Sequence, residues 1–418
     1  MKKSLLTLSI ATAFIANMSV AAEIHQGYSK TAKQYQVNGN VVSNVDTSAN
    51  LWNPRGKSPE QLDARAQFLT DAADTRTAEQ KKADAAYMEK YKGAIVINSL
   101  MPTSVGVIGN TVESFNRAIE RNRDAGVTHF SSSIGAFHPK DVMFTYINDS
   151  DPVLKDLQVT KAKTSQDIRD AKAKGQMTMM YNSQGFDYNL DNLDYVDELH
   201  DSGVNIMNFV YNSKNHFATG IEYNADPLNQ EGLTKLGEEF IKLANKRGII
   251  VDTSHSSDAT AIQAAKISTK PIMASHNNSS AVYPMTRNMS DEAIKAVGST
   301  GGVVCTNGIG VFLSKDGNAQ AETMAAHVVH TASLIGKEGT CYASDYTHNL
   351  FDAMKIQVPM VDKYPPEKGF ASPSQMAGIE DVWAIVSVLE NKYDWSEQEI
   401  RGFLGENVMR VYKANWDK

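Results

Sequence analysis

The sequence predicts an α/β chain of eight parallel strands joined by crossover helices, and three observations carry that expectation. From Lys92 onward, short apolar runs rich in Val, Ile and Met alternate with longer amphipathic stretches. Strands covered on both faces by helices read this way, because neither side of the sheet meets water. Helical segments such as 232–247 place Leu233, Leu236, Phe240, Leu243 and Ala244 on one face at helical spacing. Several helices stop at a glycine that leads into the next apolar run, as in Gly126-Val127, Gly203-Val204 and Gly248-Ile249. Glycine accepts the left-handed backbone that closes a helix.

The expected strands are 94–100, 127–134, 177–183, 204–211, 249–255, 271–276, 302–307 and 340–345. Eight strand–helix units over about 250 residues have the size of a closed (β/α)8 TIM barrel. An open doubly wound sheet shares the rhythm. No glycine-rich phosphate loop follows any of these runs, which counts against the nucleotide-binding version.

The flanks read differently. Met1-Lys2-Lys3, an apolar run over 5–16 and the small residues Ser19-Val20-Ala21-Ala22 precede the first acidic residue, Glu23. Residues 1–22 are therefore expected to be a secretory signal peptide. The apolar run falls short of the roughly 20 residues a membrane span needs, and no later segment is apolar enough. Residues 23–91 are polar and read as an N-terminal extension with a helix over 59–90; residues 92–418 form the barrel. The C-terminal region 378–416, with helical patterns including 380–390 and 396–404, is expected on its outside. Export implies the periplasm or secretion.

Charge and cysteine content narrow the partners. The chain carries 41 Lys and Arg against 48 Asp and Glu, a net charge of -7, and loss of Lys2 and Lys3 with the signal peptide takes it to -9. That balance argues against nucleic acid and anionic membrane surfaces. Two cysteines, Cys305 and Cys341, exclude a disulfide scaffold or a cysteine-rich zinc module. An oxidising compartment would let them pair; two reduced core thiols in adjacent strands is the equal alternative.

In a barrel the C-terminal strand ends converge on one mouth, so the polar residues that close each apolar run are the ones to inspect. Three runs end in Asp252-Thr253-Ser254-His255, Ala274-Ser275-His276 and Ala343-Ser344-Asp345. Two imidazoles and a carboxylate suit one divalent cation such as zinc. A single strand-end histidine is more often a hydrogen-bonded structural residue, and it is the three equivalent positions that shift the balance. No Gly-x-Ser-x-Gly elbow surrounds Ser254 or Ser275, which disfavours a serine nucleophile.

Longer motifs point further. The run from Val251 through Asp252-Thr253-Ser254-His255 to Thr260, Pro271 to His276, and Thr286-Arg287-Asn288-Met289-Ser290-Asp291 together resemble the central signature of the membrane (renal) dipeptidase family, metallopeptidase family M19. Gly232-Leu233-Thr234 to Gly237, the pair His327 and His330, Ala343-Ser344-Asp345-Tyr346 and Leu404-Gly405-Glu406-Asn407 to Arg410 extend the resemblance over roughly residues 92–413. It implies a barrel of the metal-dependent hydrolase (amidohydrolase) type, with zinc-activated water cleaving a dipeptide. It further implies that His255 and His276 bind metal, that Arg287 grips the substrate carboxylate, and that Asp345 handles the proton of the attacking water. For His327 and His330, i and i+3 on an expected helix, structural hydrogen bonding is the stronger expectation.

The departures matter equally. The family's Asp-Gly-His-x-Asp run matches Asn98-Ser99-Leu100-Met101-Pro102, its bridging glutamate matches Gln184, and a substrate-contacting histidine matches Tyr211, next to Asn212. Two dications about 3.5 Å apart need anionic ligands between them, and a neutral amide supplies no charge. The expectation is one zinc ion or none, held by His255, His276 and Asp345 with Gln184 as a weak fourth contact. Asp345 and Tyr211 are the candidate catalytic residues; Arg287 and Asn212 are the candidate substrate contacts. Tyr211 is either an oxyanion donor or a packed aromatic. The chain is thus expected to be an exported metallodipeptidase-like hydrolase of small carboxylate-bearing amides, open to homodimer formation. A tailoring enzyme of a secreted peptide metabolite and an inactive peptide-binding barrel are the alternatives.

Overall fold

The computed structural model describes residues 33–37, 40–44, 77–136, 138–185, 193–225, 231–315, 317–347 and 375–417. The expected signal peptide lies outside the described residues, as does most of the N-terminal extension. Of the helix expected over 59–90, the described part is Ala78–Lys90.

A hairpin of β1 (Lys33–Val37) and β2 (Asn40–Asn44) precedes the main sheet. That sheet contains β3 (Ile97–Met101), β4 (His129–Ser133), β5 (Thr160–Lys161), β6 (Thr178–Ser183), β7 (Val204–Asn208), β8 (Ile250–Asp252), β9 (Met273–Ala274), β10 (Val303–Asn307) and β11 (Thr340–Ala343). All its pairings are parallel, in the order β11-β10-β9-β8-β7-β6-β4-β3, with β5 as a two-residue branch on β6. Each of the eight expected strands appears. β5 is too short to leave a periodic signal.

The ends of this order meet, which decides between barrel and open sheet. Asp345 N–H donates to the Leu100 carbonyl at 3.0 Å. Asn98 and Ser344 exchange two further bonds of 2.9 Å, Ser344 N–H to Asn98 Oδ1 and Asn98 Nδ2 to Ser344 Oγ. β11 thus sits against β3, and the sheet closes into a barrel.

Strand side chains alternate between two apolar cores, as period 2 demands. Ile97, Met180, Ile206, Ile250, Met273 and Val303 fill the barrel interior, while Val96, Met179, Met207, Val251, Ala274 and Val304 face the helices. Cys305 and Cys341 stand opposite each other across β10 and β11 inside the interior core and form a disulfide.

The C-terminal helix corrects an expectation. Helix Val382–Tyr393 does pack outside, against Ala321–Ile335 and Ala78–Lys90. Helix Asn407–Trp416 instead delivers Val408, Met409, Val411, Tyr412 and Trp416 into the interior core. Asn415 Nδ2 donates to the Pro271 carbonyl at 2.9 Å, and Lys270 Nζ donates to the carbonyls of Ala414 and Asn415 at 2.9 and 3.1 Å. This helix plugs the end where the strands begin, because interior apolar side chains there would otherwise meet water. Gly248 runs beneath it with φ of 82°; a Cβ there would stand 2.8 Å from the Asn415 carbonyl oxygen. The polar chemistry is left at the opposite end.

Two histidines are buried far from water. His129 bonds Thr178 Oγ1 through Nδ1 at 2.9 Å, and burial pushes its pKa down from 6.5 to about 3; burial lowers His327 to about 4. Both stay neutral in the native state, whereas the unfolded chain protonates near pH 6.5. Their contribution is complete above that pH and lost as pH falls toward 4. Urea midpoints measured from pH 7 down to pH 4 are expected to fall steadily, and a flat series contradicts this.

Candidate active site at the barrel mouth

Three strand-end turns shape the mouth. Among the described residues, six non-glycine positions have left-handed backbone, and three of them follow barrel strands here: Asn212 (φ 59°) after β7, His255 (φ 65°) after β8 and Asp345 (φ 49°) after β11. Such conformations cost energy and persist where the surroundings impose them. Gly185, just after β6, lies with its Cβ position 3.0 Å from the Tyr211 backbone nitrogen. That close approach brings the turn carrying Gln184 beside the turn carrying Tyr211.

The two expected histidines do come together. His255 Nε2 lies 2.9 Å from His276 Nε2. The far nitrogen of each ring is also occupied: His255 Nδ1 bonds Asn212 Oδ1 at 2.7 Å, and His276 Nδ1 bonds Ser275 Oγ at 2.7 Å. Ser275 Oγ–H donates in turn to Asp252, which also accepts the N–H groups of Ser254 and Ser275 at 3.0 and 2.9 Å. Because Ser275 gives its proton to Asp252 and the Asn212 oxygen only accepts, both ring Nδ1 atoms donate, and the Nε2 atoms of the two neutral rings face each other as bare acceptors. Burial, and then the positive field of Arg287, holds both imidazoles well below the usual histidine range. Burial raises Asp252, against the pull of the hydrogen bonds it accepts from Ser275 and Ser254.

Tyr211 stacks on His255, with ring centres 4.0 Å apart and planes 25° off parallel. Of its two expected roles, the packed aromatic is the one this geometry displays. Asn212, expected to touch substrate, places its Oδ1 against His255 Nδ1 and so orients that ring. Nothing in residue spacing marked that role, since it depends on a left-handed turn folding the amide back over the ring.

Arg287 reaches inward, away from Asp291, whose carboxylate accepts from His330 Nε2 at 2.8 Å. The guanidinium is 1% exposed. Its Nη2 donates to the His276 carbonyl at 2.8 Å, and its carbon sits 5.5 Å from the centre of the Phe312 ring. Among the described residues, Nε and Nη1 have no hydrogen-bond partner, nor do the buried Asn277 Nδ2 and Ser256 Oγ. Asp345 is 8% exposed and accepts from Asn307 Nδ2 at 2.7 Å. Burial raises its carboxyl to about 7, with Arg287 and Asn307 pulling the other way.

The expected zinc set is not assembled. Among the described residues, no group of three or more His, Cys, Asp or Glu side chains is placed to hold a metal ion. Asp345, expected to be the third ligand, accepts from Asn307, and the two imidazoles face each other through Nε2. Leu100 and Met101, in the run that matches the family's first ligands, are buried and apolar. Gln184 is buried after β6, and its carboxamide is neutral in any case. Two neutral nitrogens beside a buried guanidinium do not offset a double positive charge, so this donor set does not fit zinc. Protein soaked in zinc and desalted is expected to keep far less than one equivalent, the same as a His255→Ala, His276→Ala double variant. Stoichiometric zinc lost specifically in that variant would restore the three-ligand site.

A closed barrel of parallel strands in sequential order, with its polar residues gathered at the C-terminal strand ends, defines the amidohydrolase type of (β/α)8 fold. Comparison with known proteins agrees. The sequence model of the family described as membrane dipeptidase, peptidase family M19, matches residues 151–358, so the chain is similar to that family over this stretch. An amidohydrolase from Pseudomonas aeruginosa is similar in structure, with a TM-score of 0.66 and 23% identity over 79% of this chain and 99% of that one. A metallopeptidase from Rhodobacter sphaeroides, solved with a phosphinate mimic of the dipeptide L-Ala-D-Ala, superposes with a TM-score of 0.63 and 18% identity, over 77% of this chain and 100% of that one. In sequence, an uncharacterized protein in the PQQ-III 3' region of Acinetobacter calcoaceticus is 29% identical over 160 residues, 38% of this chain and 51% of the relative. The match thus spans about half the length of that relative. The resemblance supports a dipeptidase-like hydrolase fold, and zinc is the metal that family implies.

Proposed function

We propose that this barrel acts on small peptides or related amides that carry a free carboxylate, seated at the mouth with Arg287 as the carboxylate's partner. One observation carries the reading: a fully buried guanidinium with two N–H donors, Nε and Nη1, that find no partner among the described residues. A buried charge without partners is costly, and a carboxylate is the planar acceptor that fits a two-pronged donor. Amide hydrolysis is the reaction that the match to the dipeptidase family supports. Asp345, with its pKa of about 7, is suited both to accept a proton and to return it near neutral pH. No step is routed through a metal.

A second reading, in which the barrel and its carboxylate grip are kept while the chemistry has changed, is favoured by the lack, among the described residues, of three metal-ligating side chains gathered in one place. A tailoring enzyme or a peptide-binding protein would both have this form. Either way the protein is proposed to work outside the cytoplasm, in the periplasm or secreted. The signal-like residues 1–22 and the disulfide both suit an oxidising compartment.

Calorimetric titration with an alanyl dipeptide and with its C-terminal amide tests the proposal. The free carboxylate should bind at least about tenfold more tightly. Equal affinities for the two ligands would sink it.

A further inference from the structure

We propose that His327 is a positioning residue for Arg287, its imidazole pinning together the two loops that converge on the guanidinium. The inference rests on the reading of Arg287 as the carboxylate grip. His327 lies on helix Ala321–Ile335 and is fully buried. Its Nδ1 accepts the Ser279 N–H at 3.1 Å, and its Nε2 lies 3.1 Å from the Leu313 carbonyl oxygen. A backbone N–H can only donate and a carbonyl can only accept, so the ring is fixed as the Nε2–H tautomer with both nitrogens used.

The two partners belong to the two walls of the Arg287 pocket. Ser279 opens the loop that carries Arg287, and that loop is closed on itself: Met289 N–H donates to the Asn278 carbonyl at 2.9 Å and Ser280 N–H to the Met289 carbonyl at 2.8 Å. Leu313 adjoins Phe312, whose ring flanks the guanidinium. Asn288 Nδ2 adds a second tie, donating to the carbonyls of Tyr283 and Phe312 at 2.9 and 2.8 Å. His327 is thus the one side chain of helix Ala321–Ile335 seen bonding to both loops. It fixes the spacing between Arg287 and Phe312 without touching either.

Gln at 327 can present one acceptor and one donor at about the reach of the imidazole nitrogens, whereas Leu presents neither. In full-length protein, His327→Leu is expected to speed amide hydrogen exchange in segments 278–289 and 310–313 while exchange in the barrel strands holds. It should also cut the preference for dialanine over its C-terminal amide by roughly tenfold. His327→Gln should restore most of both properties. His327→Asn is shorter by one methylene, which lets it keep the Ser279 bond and lose the Leu313 bond. It is expected to loosen 310–313 alone, and it serves should the Leu variant fail to fold.

Unchanged exchange in both segments of the Leu variant, or of 310–313 in the Asn variant, overturns the proposal. Faster exchange with the carboxylate preference intact also overturns it, because His327 would then be merely structural. If wild-type protein itself shows no preference, the reading of Arg287 has failed, and His327 then positions no carboxylate grip whatever the exchange data show.

Discussion

Arg287→Met is expected to remove about a hundredfold of affinity for a carboxylate-bearing dipeptide, leave its C-terminal amide nearly unaffected, and leave the folded protein no less stable. The three outcomes follow from one geometry. A charged, two-pronged hydrogen bond in a buried site contributes about 3 kcal/mol, which is roughly a hundredfold in binding. The amide ligand lacks the charge and gains little from the guanidinium. In the free protein, the same guanidinium is buried with one hydrogen bond, to the His276 carbonyl, and two donors that find no partner among the described residues. Replacing such a group with an apolar side chain of similar length is often neutral or stabilising by about 1–4 kcal/mol. Thermal melts and titrations on the same preparations check both halves. If both ligands weaken equally, the substitution has deformed the mouth and the carboxylate assignment is wrong. Arg287→Lys keeps the charge but loses the planar fork, and should fall between wild type and Met.

The second large effect concerns the fold. Cys305→Ala with Cys341→Ala is expected to lower stability by about 4 kcal/mol. The two residues are 36 positions apart, and in the chain-entropy account a closed loop of that length restricts the unfolded chain by about this amount. Set against a typical total of about 5–15 kcal/mol, the loss is severe. Guanidinium denaturation of the oxidised protein and the double variant measures it, and a difference below about 1 kcal/mol would show that the cross-link hardly restricts the unfolded ensemble. The reduced wild type should behave like the double variant.

The parts of this molecule that were legible in its sequence share one property: they depend on neighbours close along the chain. All eight barrel strands could be read because each is buried on both faces and bounded by a glycine or a polar turn. Barrel closure was read from the number of strand–helix units and from the family resemblance; no local signal marks it, since it rests on Asn98 meeting Ser344 across 246 positions. The C-terminal plug was missed for the same reason: the apolar face of Asn407–Trp416 reads alike whether it lies on the barrel's flank or in its floor. At the mouth, the meeting of His255 with His276 followed from equivalent strand-end positions. The roles of Asn212, Ser275 and Asp252 did not, because side-chain to side-chain bonds have no sequence period. The third ligand failed where the argument relied on position alone, since a carboxylate at a strand end can turn to Asn307 instead of to a cation.

The left-handed turns at Asn212, His255 and Asp345 set the needs of the fold against those of the ligand. Glycine would relax the backbone at each of them, yet it would erase the amide that steers an imidazole, the imidazole itself, and the acid. Libraries of this gene passed through heating alone should therefore accumulate glycine at these three codons. Libraries passed through ligand capture should shed it, and the contrast would map the working surface without knowledge of the substrate.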